Sequence, residues 1–245
     1  PGENEALPIL RNVLNAKNKN NPDKIINIST SEEHQTKLFF FNIKQRTLQR
    51  KLFRDMQQGV IRGKDSLLII PVYYEQRTDE LNSDSVGNLE RKLITKNEKS
   101  LNIIPENQLH VFLDTYTPQI NFYKNHVTIL QSNFISPIAN QGRLYYHYFL
   151  MDSLKNADRK TYHIRFRPKN NKELAFKGDM WIDSATYAIT HIRGSMPTTA
   201  NINFMHSLIV EQTFEKLQHE RFYYTNQHVA MGFKFDIANN STKNG

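Results

Sequence analysis

The chain has 245 residues, enough to bury one sizeable hydrophobic core. Its 15 Phe and 11 Tyr residues require a packed interior, which excludes disordered, collagen-like and low-complexity chains. The sequence has no cysteine, so disulfide frameworks, thiol nucleophiles and cysteine-bound metal centres are excluded as well. The formal net charge of +8 suits an anionic partner, and no apolar run approaches the ~20 residues of a membrane-spanning helix. We expect one domain over 1–245, without a transmembrane segment.

The first part of the chain contains both helical and extended patterns. Apolar residues at three- and four-residue spacings predict a helix over 3–17, followed by a polar linker that ends at Pro22. A strand is expected from about residue 24. A basic amphipathic helix is predicted over 38–56, and two strands at 66–77 and 88–95 predict a long hairpin. This part therefore divides into a helix with its linker (1–22) and a segment with a helix and the hairpin (23–104).

The second part, 105–245, is predicted to be mostly strand. Pro105 occupies a helix-start position and predicts a helix over 105–114. Because short turns join the strands that follow, they should form an antiparallel meander. The predicted fold class is mainly β with a few helices (α+β), as a curved antiparallel sheet or an incomplete barrel wrapped around helices. The strands are expected at 121–131, 142–152, 161–168, 174–183, 187–195, 207–218 and 222–235.

Alternation along two of these strands separates an interior face from a polar face. In the strand over 161–168, Phe166 lies on the apolar side, whereas His163 and Arg165 lie on the other. The next strand again places apolar or small residues on one side. Neighbouring antiparallel strands present aligned alternate residues to the same face. The candidate ligand-binding apolar face therefore consists of Phe166, Phe176, Gly178, Met180 and Ile182.

The sequence gives little support for catalysis or for a bound metal. Its nine histidines form no His-Glu-x-x-His motif, and we interpret His163, His191 and His206 as exposed or hydrogen-bonded side chains. The chain also lacks a Gly-x-Ser-x-Gly nucleophile elbow and a phosphate-binding glycine loop. Asp179 and Asp183 should share a face, but turn capping and solvation explain them better than acid–base catalysis. We therefore expect no enzyme activity, no metal and no cofactor.

Two weaker patterns concern anionic partners and modification. The basic helix predicted around 44–54 could bind anionic lipid or RNA, but the absence of interleaved aromatic residues favours a solvated face and no nucleic-acid partner. Four Asp-Ser pairs, each followed by a small or apolar residue, resemble the Asp-Ser/Thr-small-apolar acceptor known for periplasmic O-glycosylation in Bacteroidetes. Ordinary turn chemistry is the better interpretation of each pair taken singly. The pairs lie at 65–66, 84–85, 152–153 and 183–184.

Five motifs in the second part resemble a known family. They are FISPI (134–138), YYHYFLMDS (145–153), YHIRFRPK (162–169), FKGDMWID (176–183) and TYAITHI (186–192). Their order and spacing resemble the central region of a Bacteroidetes cell-envelope family of unassigned function. Members typically begin with a secreted carboxypeptidase-regulatory-like β-sandwich and end in an outer-membrane β-barrel. The resemblance implies a periplasm-facing, outer-membrane-associated segment of a longer protein, with the neighbouring domains as its partners.

The same region is similar to the periplasmic lipoprotein-carrier (LolA-like) fold in the order of a strand, a hairpin and an alternating return strand. That fold is an incomplete antiparallel barrel around helices and encloses an apolar cavity that holds acyl chains. This similarity implies a non-enzymatic domain that binds lipid or another apolar ligand, although it transfers no individual binding residue. The alternative hypothesis is a structural adaptor with a solid core, which orders the neighbouring domains and binds no ligand. An unfilled apolar volume inside the sheet would distinguish the two hypotheses.

Overall fold

The computed structural model describes residues 4–41, 43, 60–62, 68–101, 107, 109, 111, 113, 120–156, 159–197, 202, 205–217 and 221–234. Within these residues the chain is mostly β-sheet. Helix α1 is Ala6–Asn20, helical turns lie at Pro22–Lys24 and Gly142–Tyr145, and Leu109 and Leu113 are helical, as predicted for 105–114. The strands are β1 (Ser29–Phe41), β2 (Ile61–Arg62), β3 (Leu68–Ser83), β4 (Leu89–Ser100), β5 (His126–Ile129), β6 (Ser132–Ile135), β7 (Tyr146–Asn156), β8 (Arg159–Pro168), β9 (Lys177–Asp183), β10 (Ile189–Ser195), β11 (Met205–Lys216) and β12 (Phe222–Lys234).

One large sheet dominates the described part of the chain. Its strand order is β2-β3-β1-β12-β11-β10-β9-β8-β7, with β4 beside β3. From β7 to β12 each strand pairs antiparallel with the next along the chain, so the predicted meander is confirmed. The sheet stays open and does not close into a barrel, because its order ends at β7 on one side and at β2 and β4 on the other.

Two features of the sheet differ from the prediction. β1 lies between β3 and β12 and runs parallel to β12, so the sheet is mixed and not purely antiparallel. Residues 42–221 separate β1 from β12 along the chain, and no short turn therefore imposes an antiparallel direction on this pair. The strand predicted over 121–131 is also wrong as a member of the main sheet, because β5 pairs with β6 in a separate two-stranded hairpin.

The N-terminal elements are corrected in two places. Residues 38–41 form the end of β1, so no helix begins there; the rest of the helix predicted over 38–56, apart from residue 43, lies outside the described residues. A short apolar run is compatible with either a helix or a buried strand. Residues 38–41 form a strand because they pair with β3 and β12. The strand expected from residue 24 begins only at Ser29, because Pro22 opens a helical turn that Asn21 caps.

Helix α1 matches its sequence pattern. The side chain of Asn4 accepts a hydrogen bond from the backbone of Ala6, and its amide donates to the carbonyl of Tyr148 on β7 at 2.9 Å. Leu10 and Val13 are buried on the face that meets the core. No helix within the described residues has the length and apolar character needed to cross a bilayer.

The inner face of the sheet, defined here as the face that carries the buried apolar residues of β7–β12, changes character along one ladder of paired residues. Met180 on β9 pairs with Ile192 on β10, and Ile192 pairs with Gln212 on β11. Gln212 pairs with Gln227 on β12, which pairs with His34 on β1. The Gln212 side chain donates to Gln227 Oε1 at 2.7 Å, so a buried amide pair joins the apolar part of the inner face to a polar part.

Candidate functional site

The five residues of the candidate apolar face lie together on the inner face. Phe166 on β8 pairs with Gly178 on β9, and Met180 and Ile182 follow at alternate positions of β9. Phe166, Phe176, Met180 and Ile182 have no exposed surface. The chain's own side chains therefore cover all four, and their role in binding a ligand stays a prediction.

Aromatic rings fill the space in front of this face. Phe176 stacks on Phe134 with ring centroids 5.0 Å apart and meets Phe122 edge-on at 5.3 Å. Gly194 on β10 lies beneath Phe176, because a Cβ at Gly194 would be only 3.2 Å from Cδ1 of Phe176. This part of the inner face is packed as a core, which fits the adaptor hypothesis at least as well as a lipid cavity.

Only glycine fits at position 178, because the neighbouring strand approaches it closely. A Cβ at this position would lie 1.9 Å from the carbonyl oxygen of Arg193 on β10. Any larger side chain would have to displace backbone, so enlarging Gly178 tests the fold rather than ligand binding.

A cleft of about 860 Å³ lies elsewhere, at the end of the sheet where β1 begins and where β3 and β11 end. Its volume falls within the range of about 300–1,000 Å³ typical of small-molecule sites. We call it the basic cleft. Its lining consists of Lys24, Ile25, Ile26, Asn27, Ile28, Ser29, Asn82, Ser83, Lys216, Leu217 and Arg221.

Apolar and cationic residues share the lining of the basic cleft. Ile25 and Ile28 are buried in a small cluster with Leu81 and Tyr223, whereas Ile26 is 48% exposed. The lining contributes three cations, from two lysines and one arginine, and no carboxylate. Within the described residues, the cleft thus offers an apolar wall beside a positive one, the arrangement that an amphiphile with an acidic head group requires.

Two carboxylates next to the lining along the chain, those of Asp23 and Asp84, have partners outside the basic cleft. Asp23 pairs with Lys124 at 2.9 Å. Asp84 accepts hydrogen bonds from the backbone of Val86, Gly87 and Asn88, which lowers the pKa of its carboxyl. Neither of these two acids therefore cancels the positive charge of the lining.

The loop that forms one wall is fixed by the chain itself. Asn27 has a left-handed backbone conformation (φ 54°), which asparagine tolerates better than most residues. Its amide donates to the carbonyl of Asp84, and Ser83 donates to the carbonyl of Ile28 at 2.8 Å. Sequence reasoning missed this site because it predicted a strand across the loop. The Asn-Pro pair at 21–22, followed by Asn27, was the turn signal that could have revealed it.

A second, more open cleft of about 580 Å³ offers a useful contrast. Lys17, on its lining, donates to Asn125 Oδ1, to the carbonyl of Ile138 and to Asn140 Oδ1. An ammonium group has three N–H donors, so Lys17 is fully used by the fold, and burial lowers its pKa. Lys24 donates to Asn18 Oδ1 at 2.9 Å and keeps donor capacity for a ligand.

A charged cluster lies on the polar part of the inner face, where β1 pairs with β3. Glu32 has no exposed surface, and its carboxylate accepts from Tyr223 Oη at 2.6 Å and from Arg91 Nε at 3.1 Å. Burial would raise the pKa of Glu32, but hydrogen bonds from His34, Arg91 and Tyr223 together outweigh it and lower the pKa to about 2. We call this cluster the Glu32 network, and its members are Glu32, His34, Arg77, Asp79, Arg91 and Tyr223.

Three members of the Glu32 network have the residue types of a metal site. Within the described residues, one ligand atom from each of Glu32, His34 and Asp79 lies within 4.8 Å of the others. Each carboxylate already faces a guanidinium, however, because Arg91 contacts Glu32 and Arg77 Nε lies 2.8 Å from Asp79 Oδ2. A divalent cation would have to enter between two arginines, so the donor set fits an internal ion-pair network better than a metal.

On the outer face, opposite the core, Trp181 lies between two histidines. His163 stacks on its ring with centroids 4.5 Å apart, and His191 meets it edge-on at 4.9 Å. His163 Nε2 also lies 2.8 Å from Asp179 Oδ1, and His191 Nε2 lies 3.2 Å from Glu211. The interpretation of His163 and His191 as exposed or hydrogen-bonded side chains did not include their contacts with Trp181. The alternation of β8, β9 and β10 could have shown that the three rings share one face.

The remaining polar residues singled out in the sequence are structural. Asp183 accepts from the backbone and the hydroxyl of Thr186, at 2.9 and 2.7 Å, so the predicted turn capping is confirmed. Asp179 pairs with Arg165 at 2.9 Å instead of being merely solvated. His206 contacts the ring of Phe41. The Asp-Ser pair at 65–66 and the side chain of Ser153 lie outside the described residues.

These features define a β-rich domain with a packed core and a separate basic cleft. The family model described as a family of unknown function (DUF5686) matches residues 73–243, well over half of the chain, so the chain belongs to that family. No curated protein matches the chain. It is similar to the crystal structure of a Vibrio parahaemolyticus domain described as an outer membrane lipoprotein-sorting protein domain, with 8% identity and a TM-score of 0.30, covering 91% of this chain and 84% of that one. A likeness at this TM-score carries no argument about function.

Proposed function

We propose that this chain is a non-enzymatic domain that binds a lipid or another apolar ligand with an acidic group, and that the ligand occupies the basic cleft. The observation that carries the proposal is the combination of an apolar wall at Ile25, Ile26 and Ile28 with the cations Lys24, Lys216 and Arg221 in a cleft of about 860 Å³. This differs from the sequence hypothesis in location, because the apolar face around Met180 is packed by its own chain.

The energetics favour an amphiphile over a small anion. Each methylene that leaves water contributes about 0.8 kcal/mol, so an acyl chain gains affinity from the isoleucine wall that inorganic phosphate cannot gain. The cations add electrostatic attraction for the acidic head group and set its orientation.

The proposed setting is the periplasm, as part of an outer-membrane-associated protein with neighbouring domains. Support for this setting is the resemblance of the five motifs over 134–192 to the cell-envelope family. The absence of a nucleophile elbow and of a metal-binding motif in the sequence supports a non-enzymatic role.

A titration with a fluorescent long-chain fatty acid tests the proposal. We expect saturable binding by the purified domain, and co-purified lipid in a mass-spectrometric extract. Ile26→Asp should abolish binding, because it places a negative charge in the cleft. Ile94→Asp is the matched control, since Ile94 on β4 is 51% exposed, close to the 48% of Ile26, but lies outside the cleft. Equal binding by the two variants would contradict the proposed site.

A structural adaptor is the second candidate. The observation that favours it is the complete burial of Phe166, Phe176 and Met180, together with the exposure of all twelve residues of β4 at an open edge. An adaptor needs a solid core and a free surface for its neighbours. No lipid binding at any concentration below micelle formation would leave this candidate alone.

A further inference from the structure

A second surface lies at the other side of the sheet, along β7. Leu144 is 67% exposed, Phe149 46% and Met151 45%, although large apolar residues of this kind are usually buried. Leu144 belongs to the helical turn that leads into β7, and the other two lie on β7 itself. Three such residues within eight positions of one exposed edge form a patch that the described chain does not cover.

Cations lie beside these apolar residues. Arg167 on β8 pairs with His147 on β7 and is exposed. Lys169 donates to the carbonyl of Arg143 at 2.8 Å, which joins the turn after β8 to the helical turn before β7. Among the described residues, no carboxylate lies within ion-pair distance of Arg143, Arg167 or Lys169. We call this surface the edge patch; it consists of Arg143, Leu144, Phe149, Met151, Arg167 and Lys169.

Two acidic residues near the edge patch have partners of their own. Asp152 lies 3.3 Å from His163 Nδ1, and Asp179 is held by His163 and Arg165. The patch therefore presents net positive charge around exposed apolar side chains. Lipid bilayers with anionic head groups complement this combination, because basic residues bind the phosphates while Phe, Leu and Met side chains enter the boundary of the acyl region.

We propose that the edge patch docks the domain on an anionic phospholipid surface. Phe149, Leu144 and Met151 insert at the level of the head groups, and Arg143, Arg167 and Lys169 contact phosphates. This inference is independent of the basic cleft, which lies on β1, β3 and β11 and shares no residue with the patch. The outer-face position of Phe149, opposite Arg165 in the β7–β8 register, leaves it free to contact a flat surface.

Vesicle sedimentation tests the proposal. The purified domain should bind vesicles that contain phosphatidylglycerol, bind phosphatidylcholine vesicles weakly, and dissociate as salt rises. The double variant F149D/R167E should lose at least about tenfold in affinity, a change of about 1.4 kcal/mol. The control L93D/K92E changes the same residue classes on exposed β4 and should bind as the unchanged domain does.

Two further outcomes keep the test decisive. An unchanged thermal midpoint of F149D/R167E, expected because both side chains are exposed, shows that the variant is folded. A dimer that dissociates in this variant, without vesicle binding by the unchanged domain, would assign the patch to a second copy and overturn the proposal. The cleft variant Ile26→Asp should retain vesicle binding, so failure of the patch and failure of the cleft can be told apart.

Discussion

The inner face of the sheet is apolar on β8 to β10 and charged on β1 and β3. Around Met180 every inward side chain is buried among aliphatic groups and rings. Around Glu32 the inward side chains are two carboxylates, a histidine and arginines, joined by hydrogen bonds. The first region is stabilised by the burial of apolar surface, which other apolar side chains of similar size could also supply. The second region depends on the presence of each hydrogen-bonding partner. The two regions should therefore respond differently to substitution and to pH.

The largest effect is expected from Met180→Asp. The carboxylate would be buried among apolar side chains with no cation to pair with it, and the domain should not fold. Circular dichroism and thermal unfolding measure the outcome. Met180→Leu, which conserves volume, should cost less than about 1.5 kcal/mol. A thermal midpoint of Met180→Asp equal to that of the unchanged domain would contradict the apolar assignment.

The next largest effect is expected from Glu32→Gln. Removing the charge of the buried Glu32 weakens its hydrogen bonds from Arg91 and Tyr223, so unfolding free energy should fall by about 3 kcal/mol. Urea denaturation measures this change. Glu33→Gln provides the matched control, because Glu33 is the adjacent residue of β1 and is exposed. Similar losses in both variants would mean that the Glu32 network is not a distinct unit.

Low pH should destabilise the Glu32 network in the unchanged domain as well. The pKa of Glu32 is about 2 in the fold against an ordinary 4.5, so the unfolded chain binds the proton more readily. The stabilisation is present above about pH 4.5 and is lost as pH falls toward 2, about 3 kcal/mol in total. Urea unfolding at pH 6 and pH 3 would show a smaller loss in Glu32→Gln than in the unchanged domain. Parallel losses in the two proteins would refute this source of acid sensitivity.

The smallest effect is expected on the outer face. Asp179 pairs with His163 and Arg165, but all three side chains remain partly exposed to water. Asp179→Asn should therefore change unfolding free energy by less than about 1 kcal/mol. A loss as large as that of Glu32→Gln would show that the outer ion pairs are as important as the buried ones.

The apolar region around Met180 could be predicted from the sequence, whereas the charged region around Glu32 could not. Alternation around Phe166 and Met180 predicted β8, β9 and their shared face, because the period of a strand is a local property. Glu32 and His34 lie in a polar stretch that has no local signal for burial. The burial of the Glu32 charge is made possible by Arg91 and by Tyr223, which lie 59 and 191 residues away from Glu32 along the chain.

The positions of the two proposed surfaces were also beyond local reasoning. The basic cleft is assembled from a loop, the end of β3 and the end of β11, which only the complete sheet brings together. The edge patch depends on β7 being the last strand of the sheet order, and strand order cannot be deduced from turns when one strand is inserted in parallel. Short-range patterns predicted elements well and long-range pairings poorly.

The parallel pairing of β1 with β12 has a consequence for the order of assembly. β4 can pair with β3, and the meander from β7 to β12 can pair within itself, using contacts close in sequence. The pairing of β1 with β12 connects these two groups of strands. It brings Glu33 into hydrogen-bond contact with Asn226, 193 residues further along the chain. Such a contact carries a high loop-closure cost and forms late. During synthesis β1 must wait for β12, which lies these 193 residues further along the chain, so the edge of β1 stays unpaired and exposed to wrong partners until β12 emerges.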